Sequence, residues 1–240
     1  MQLPNFRNNF LAFILLTASL SSSLLTACST TSSQNASQAP NTTTTATDTG
    51  NNQPMNHDGA MMDHGSGMNH SMMVNLGPSD ANFDLRFIDA MIPHHQGAVE
   101  MAKEAQQKSN RPEIKKLAEN IIKAQNQEIT QMKQWRTTWY PQAGDKAVAY
   151  DAQQGKTIEM SSKQMQGMMM NISLGAANKE FDLRFINAMI PHHEAAVVMG
   201  GDVLQKSQRP EIKNLAQEII KAQNVEINQM KQWRKTWYNK

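Results

Sequence analysis

From Phe83 the apolar residues fall at steps of three and four: Phe83, Phe87, Ala90, Met91, Ala98 and Met101, with His94 on the same line. That is the period of one helix face, and it predicts a helix over about residues 82–107. Pro93 lies inside it, where the missing N–H removes one backbone bond and is expected to kink the helix beside His94 and His95. Lys108 to Pro112 then reads as a turn, with Asn110 as the cap of a second helix and Pro112 in its first turn. Ile114, Leu117, Ala118, Ile121, Ile122, Ile129, Met132, Trp135 and Trp139 give that helix an apolar face about seven turns long at 3.6 residues per turn. Pro141 and Gly144 end it.

The pattern then returns. Residues 83–140 align with residues 181–238 at a constant offset of 98 over 58 positions; 16 differ, leaving 58 − 16 = 42 identities. One unit, residues 81–140 or 179–240, is an antiparallel helix pair whose apolar face has nothing to cover it. Two units cover each other, which predicts an all-α protein with a four-helix bundle made from a tandem duplicated hairpin. The crossover, residues 141–178, is long for a bundle connection. It is expected to hold short helical pieces near Lys146 to Gln154 and Glu159 to Met170.

The first 80 residues break the pattern. Arg7 precedes an apolar run from Phe10 to Leu20, too short for a membrane span and suited to an export signal. Leu25-Thr26-Ala27-Cys28 resembles a bacterial lipobox, so residues 1–27 read as a lipoprotein-type signal with Cys28 lipidated, against a simple secretory signal cut nearby. Either reading places the chain in the periplasm or outside the cell. Residues 28–80, rich in Ser, Thr, Asn, Gln, Met and Gly, read as a disordered tether. The formal charge of +2 makes no electrostatic case for nucleic acid.

Candidate chemistry enters through histidine and methionine. Cys28 is the single cysteine, so the folded part offers no disulfide and no thiolate. Met91-Ile92-Pro93-His94-His95 returns as Met189-Ile190-Pro191-His192-His193, followed at the same distance by Met101 and Met199. Imidazole nitrogen with thioether sulfur is a donor set suited to soft copper. An adjacent histidine pair puts its members about 100° apart on a helix, so both are not simply core residues. Met91 stacks on His95 and His94 on Met101, and each copy is expected to nucleate its own site. Met132 and Met230 fit core packing more readily than ligation, because methionine is the ordinary gap-filler of helical cores.

The tether carries three Met-x-His pairs, Met55 with His57, Met62 with His64 and Met68 with His70, in a stretch without apolar periodicity. They read as metal-capture sites. A methionine cluster precedes each first helix of a unit, Met168, Met169 and Met170 before the second, and these methionines are expected to complete the histidine sites. Gln125 and Glu128 continue the inward stripe of the second helix, where a metal-bound imidazole usually finds a carboxylate or carbonyl partner. Asp84, Glu128, Asp182 and Glu226 are expected in such supporting or structural roles.

The blocks Phe83-Asp84-Leu85-Arg86-Phe87-Ile88, Met91-Ile92-Pro93-His94-His95, Ala98-Val99-x-Met101 and Gln125-x-x-Glu128-Ile129-x-x-Met132 resemble a bacterial family of exported, ferritin-like helical-bundle proteins catalogued as a domain of unknown function. The resemblance covers residues 81–240 twice over. It implies copper binding and copper resistance, with Cu(I) as the ion. The reading is thus a non-enzymatic protein that captures and buffers Cu(I), with Cu(II) and Ag(I) as further ions, and passes it to a copper efflux system. Two other classes stay open. A ferritin-like di-metal oxidase would use Glu-x-x-His motifs, which this sequence lacks. A metal-free, lipid-anchored interaction domain would show no thermal response to Cu(I) or Ag(I).

Overall fold

The apolar face of each long helix needs a partner, and the duplicated sequence supplies one. A computed structural model describes residues 75–240. The expected export signal, Cys28 and the pairs Met55/His57, Met62/His64 and Met68/His70 lie outside the described residues. In chain order the elements are α1 (Phe83–Lys108), α2 (Pro112–Trp139), β1 (Val148–Asp151), β2 (Lys156–Glu159), α3 (Ser162–Met169), α4 (Phe181–Lys206) and α5 (Pro210–Tyr238). α1 packs on α2, α4 on α5, and the two hairpins meet chiefly through α1 against α4. The protein is an all-α four-helix bundle with a small two-stranded sheet in its crossover.

The core divides into two halves related by the 98-residue offset. One contains Phe83, Phe87 and Met91 of α1, Met132 of α2, Met199 and Val203 of α4, and Ile212 to Ile219 of α5. The other contains Phe181, Phe185 and Met189 of α4, Met230 of α5, Met101 and Ala105 of α1, and Ile114 to Ile121 of α2. Each half thus joins the start of one first helix to the end of the other. The middle of α1 and α4, where the histidines sit, falls between them.

At each end of the bundle the same clamp recurs. The turn arginine of one hairpin reaches the other: Arg209 lies 4.5 Å from the Trp139 ring and 3.5 Å from Asp84, while Arg111 lies 4.2 Å from the Trp237 ring and 3.4 Å from Asp182. Cation–π contact and charge pairing act on one guanidinium. Trp135 stacks on Trp139 and Trp233 on Trp237, with ring centroids 4.9 and 5.0 Å apart.

The repeat extends upstream of residue 83. Arg86 Nε donates to the Leu76 carbonyl at 2.6 Å and Arg184 Nε to the Leu174 carbonyl at 2.6 Å. Lys206 Nζ donates to Gly77 O at 2.9 Å, and Lys108 Nζ to Gly175 O at 2.8 Å. Both glycines have positive φ, +78° and +75°, a backbone region that disfavours a side chain.

Two expectations change. Residues 146–154 do not form a helical piece: Val148–Asp151 pairs antiparallel with Lys156–Glu159, Asp151 opposite Lys156. Asp151 closes the loop by accepting the N–H groups of Gln153 and Gln154 at 2.8 and 3.1 Å, with Gly155 at φ +63°, a turn chemistry that competes successfully with helix. Asn110 does not cap α2; the Ser109 hydroxyl accepts the Arg111 N–H at 3.0 Å, as Ser207 does for Arg209 at 3.1 Å. The helical piece expected at 159–170 forms as α3, started by a Ser161/Gln164 capping box. α1 and α4 remain helical through Pro93 and Pro191.

Candidate metal centre

Four histidines occupy the layer between the two half-cores. His94, His95, His192 and His193 are each at most 1% exposed. Helical spacing places each adjacent pair on two neighbouring directions of its helix, so one ring points across to the other hairpin and one toward the second helix of its own. His94 meets His192 with ring centroids 3.8 Å apart, tilted by 49°. His95 turns to α2, where its Nε2 lies 2.6 Å from Glu128 Oε2; His193 turns to α5, its Nε2 2.6 Å from Glu226 Oε2. The His94–His95 and His192–His193 centroids are 6.4 and 6.2 Å apart.

Those partners fix the tautomers. With Nε2–H donated to a carboxylate, His95 and His193 each keep a lone pair at Nδ1, the arrangement in which a carboxylate orients a metal-binding imidazole. His192 donates Nε2–H to the Met169 carbonyl at 3.1 Å and likewise keeps Nδ1. Among the described residues, Nδ1 of His95, His192 and His193 and both ring nitrogens of His94 have no hydrogen-bond partner. A buried polar atom left without a partner costs on the order of 1–3 kcal/mol. Five such nitrogens in one layer are a liability for folding alone and an asset for a metal ion.

Burial also keeps the two rings that meet across the hairpins, those of His94 and His192, neutral. His94 is held well below the usual histidine range, first by burial and then by the neighbouring imidazoles of His192, His95 and His193. His192 is pushed down to about 3, again mainly by burial and then by His193. Neutral imidazole is the form that binds metal.

Sulfur flanks the nitrogen layer on both sides. Met91, Met132 and Met199 belong to one half-core, Met101, Met189 and Met230 to the other, and all six are buried to within 1%. The grouping crosses the copies: Met91 of the first is with Met199 of the second, and Met189 with Met101. The histidines of the two copies thus share one layer, because the two first helices are antiparallel and meet at their histidines. Among the described residues no three of His, Cys, Asp and Glu converge at metal-binding distance. A closed site there needs thioether donors or a small movement of the rings.

The remaining candidates separate clearly. Met168 lies in the first half-core, whereas Met169 reaches His192 through its backbone carbonyl rather than its sulfur, and Met170 is the left-handed cap of α3 at φ 46°. Glu128 and Glu226 meet histidines. Asp84 and Asp182 do not: they pair with Arg209 and Arg111, ten residues and so about 15 Å along the helix from the histidines. Gln125, expected to meet an imidazole, leaves Oε1 without a partner among the described residues, as does Gln223. The contact of His94 with His192 was missed. Only the antiparallel placement of the two copies brings those rings together, although their position midway along equal helices carries the signal.

Gly97 explains how α3 reaches this layer. A Cβ at that position would lie 1.8 Å from the Met169 carbonyl oxygen, so the glycine allows the backbone to close on α1 and meet His192. The second copy has Ala195 at the matching position.

Comparison with known proteins gives the following. Residues 23–136 and 84–234 match the family described as "Domain of unknown function (DUF305)". Among solved structures, the chain is similar to CopM in the Cu(I)-bound form, with 41% identity over 65% of this chain and 97% of that one and a TM-score of 0.51. The Cu(II)-bound form gives 41% identity with the same coverage and a TM-score of 0.52; the Ag-bound form prepared by soaking gives 38% and 0.51, also covering 65% and 97%. An uncharacterized protein of Acanthamoeba polyphaga mimivirus is 43% identical over 49 residues, 20% of this chain. The match spans about a third of that relative, 32% of its length.

Proposed function

The chain belongs to the DUF305 family, and from that premise we propose that it is an exported copper-binding protein that captures and buffers Cu(I) through histidine nitrogen and methionine sulfur. The observation that carries this reading is the central layer: four buried histidines with five unpartnered ring nitrogens among the described residues, bounded on both sides by buried methionines. Such a layer weakens an apolar core and suits a soft ion. The similarity to CopM, whose structures hold Cu(I), Cu(II) and Ag, supports the same ion class.

In this reading the Met-x-His pairs at Met55/His57, Met62/His64 and Met68/His70 collect the ion, the bundle holds it, and the protein contributes to copper resistance by passing it to an efflux system. Lipidation at Cys28 would tether the chain to a membrane facing the periplasm or the exterior. Holding Cu(I) among imidazoles and thioethers, away from water, limits redox cycling. Glu128 and Glu226 orient His95 and His193, and the carbonyl of Met169 orients His192.

An anaerobic competition titration against a colorimetric Cu(I) chelator tests this. Because burial holds His94 and His192 below the usual histidine range, the bundle should keep most of its affinity between pH 7 and pH 5. The His94→Ala/His192→Ala double variant should lose affinity by at least about tenfold. Unchanged affinity and stoichiometry in that variant, with the helical spectrum intact, would overturn the reading.

A further inference from the structure

A layer buried this deeply is closed to an ion in water. The four histidines are at most 1% exposed, so an ion on its way to them must meet other donors first. Glu128 and Glu226 touch the layer and keep 18% of their side chains exposed, but carboxylate oxygen suits hard ions rather than soft ones. Methionine sulfur suits soft ions, and the two half-cores hold it unequally.

Met91, Met132 and Met199 of the first half-core have counterparts in Met189, Met230 and Met101 of the second. The first holds three more, none of them supplied by the repeated helices: Met160 just after β2, and Met165 and Met168 on α3. Burial along this series is graded. Met165 is half-buried, Met168 and Met160 are 8% and 7% exposed, and Met91, Met132 and Met199 are fully buried. In the second half-core all three methionines are buried to within 1%. The seat of α3 links the series to the histidines. Met165 and Met168, three apart, share one face of a helix that packs on α1, and the residue after Met168 supplies the carbonyl that accepts from His192 at 3.1 Å. Met160 is fixed by its N–H, which donates to the Ala147 carbonyl at 2.8 Å. A helix of eight residues that had only to cover α1 would be better specified by leucine, because methionine is the more flexible filler.

We propose that Met160, Met165 and Met168 form a thioether-only site for a soft monovalent ion, Cu(I) or Ag(I), and that the ion enters the histidine layer through it. Met165 meets the ion at the surface, Met168 and Met160 replace its remaining water, and Met91 and Met199 of the same half-core hand it to imidazole. Each step exchanges one neutral ligand for another, with no change of oxidation state and no proton released at sulfur. The same route run backwards is the way out. The entry role deepens the copper reading and rests on it; the thioether site itself does not.

The test uses the full chain carrying Cys28→Ser, with isotope-labelled methionine methyl groups followed by NMR as Ag(I) is added. The Met165 and Met168 signals should shift in this chain and also in its His94→Ala/His192→Ala variant, because the site needs no imidazole. Signals that stay in place in either chain overturn the site. Shifts at Met165 and Met168 with the histidine rings unmoved support the site and overturn the copper layer instead. Entry is tested with Met165→Leu/Met168→Leu, a change that keeps the core filled. A Cu(I) chelator should then withdraw the most slowly released copper at least about tenfold more slowly, the effect of one lost contact on a barrier. An unchanged rate overturns the route. Faster withdrawal does so too, because it marks the loss of a permanent ligand of the layer.

Discussion

On α1 every residue from Phe83 to Met91 is buried, whereas on α4 the matching stretch leaves Asn187 exposed and Arg184 and Ala188 half-exposed. The two helices are built from almost the same residues, so their own sequences do not cause the contrast. Its cause is the crossover, whose hairpin and α3 wrap α1. Asp89, 2% exposed, accepts the Val148 N–H at 2.8 Å and is bonded to Arg136 at 2.5 and 3.2 Å. Among the described residues its counterpart Asn187 has only Arg234, at 3.4 Å. Three of the positions at which the copies differ thus follow what covers each helix: Asp89 against Asn187, Gly97 against Ala195 and Glu100 against Val198. The four histidines of the central layer are shared by both copies.

The largest effect should come from that shared layer, and it should be blind to the difference between the copies. Burial lowers the folded-state pKa of His94 and His192, the latter to about 3 from 6.5. The unfolded chain therefore binds more protons, and stability is complete above about pH 6.5 and declines as pH falls toward the folded value. Chemical denaturation of the metal-free protein should show a loss of several kcal/mol between pH 7 and pH 4. A flat profile would mean that the rings are not buried as neutral groups.

The copies should part company at Gly97. Gly97→Ala drives a Cβ into the Met169 carbonyl and should destabilise by about 3 kcal/mol, with faster proteolysis around residues 160–171. Ala195→Gly should cost only about 1 kcal/mol, the helix-propensity difference. Equal losses would remove the asymmetry on which the comparison rests.

Glu128→Gln and Glu226→Gln should behave alike again, each weakening Cu(I) binding by roughly 10–100-fold through loss of the carboxylate that orients its histidine. A strong effect in only one would show that the copies do not contribute equally. The smallest contrast lies at the hairpin anchor. Asp89→Asn removes a charged acceptor from Arg136 and should lower stability by about 1–2 kcal/mol, while Asn187→Asp, at an exposed position, should stay within about 0.5 kcal/mol in urea denaturation.

The helices and their pairing were legible because steps of three and four in residues 83–140 returned at a fixed offset, and a lone hairpin leaves its apolar face bare. The inward Glu128 was legible for the same reason. The strand pair was not, because Lys146 to Gln154 has no strong alternation and its fold is decided by Asp151 and Gly155 at the turn and by Asp89 on a distant helix. Nor did spacing along one helix show which residues meet at the centre. It stacked Met91 on His95 within a copy, while the antiparallel crossing of α1 and α4 set His94 on His192 and sorted Met91 with Met199.

The central claim is that both copies form one soft-metal layer, and crystals soaked with Ag(I), a redox-inert stand-in for Cu(I), test it most directly through anomalous scattering. The account predicts silver bound by a ring nitrogen of His94 or His192 in the layer between the two half-cores. Silver confined to surface methionines, with the four histidines unmoved and unliganded, would contradict it.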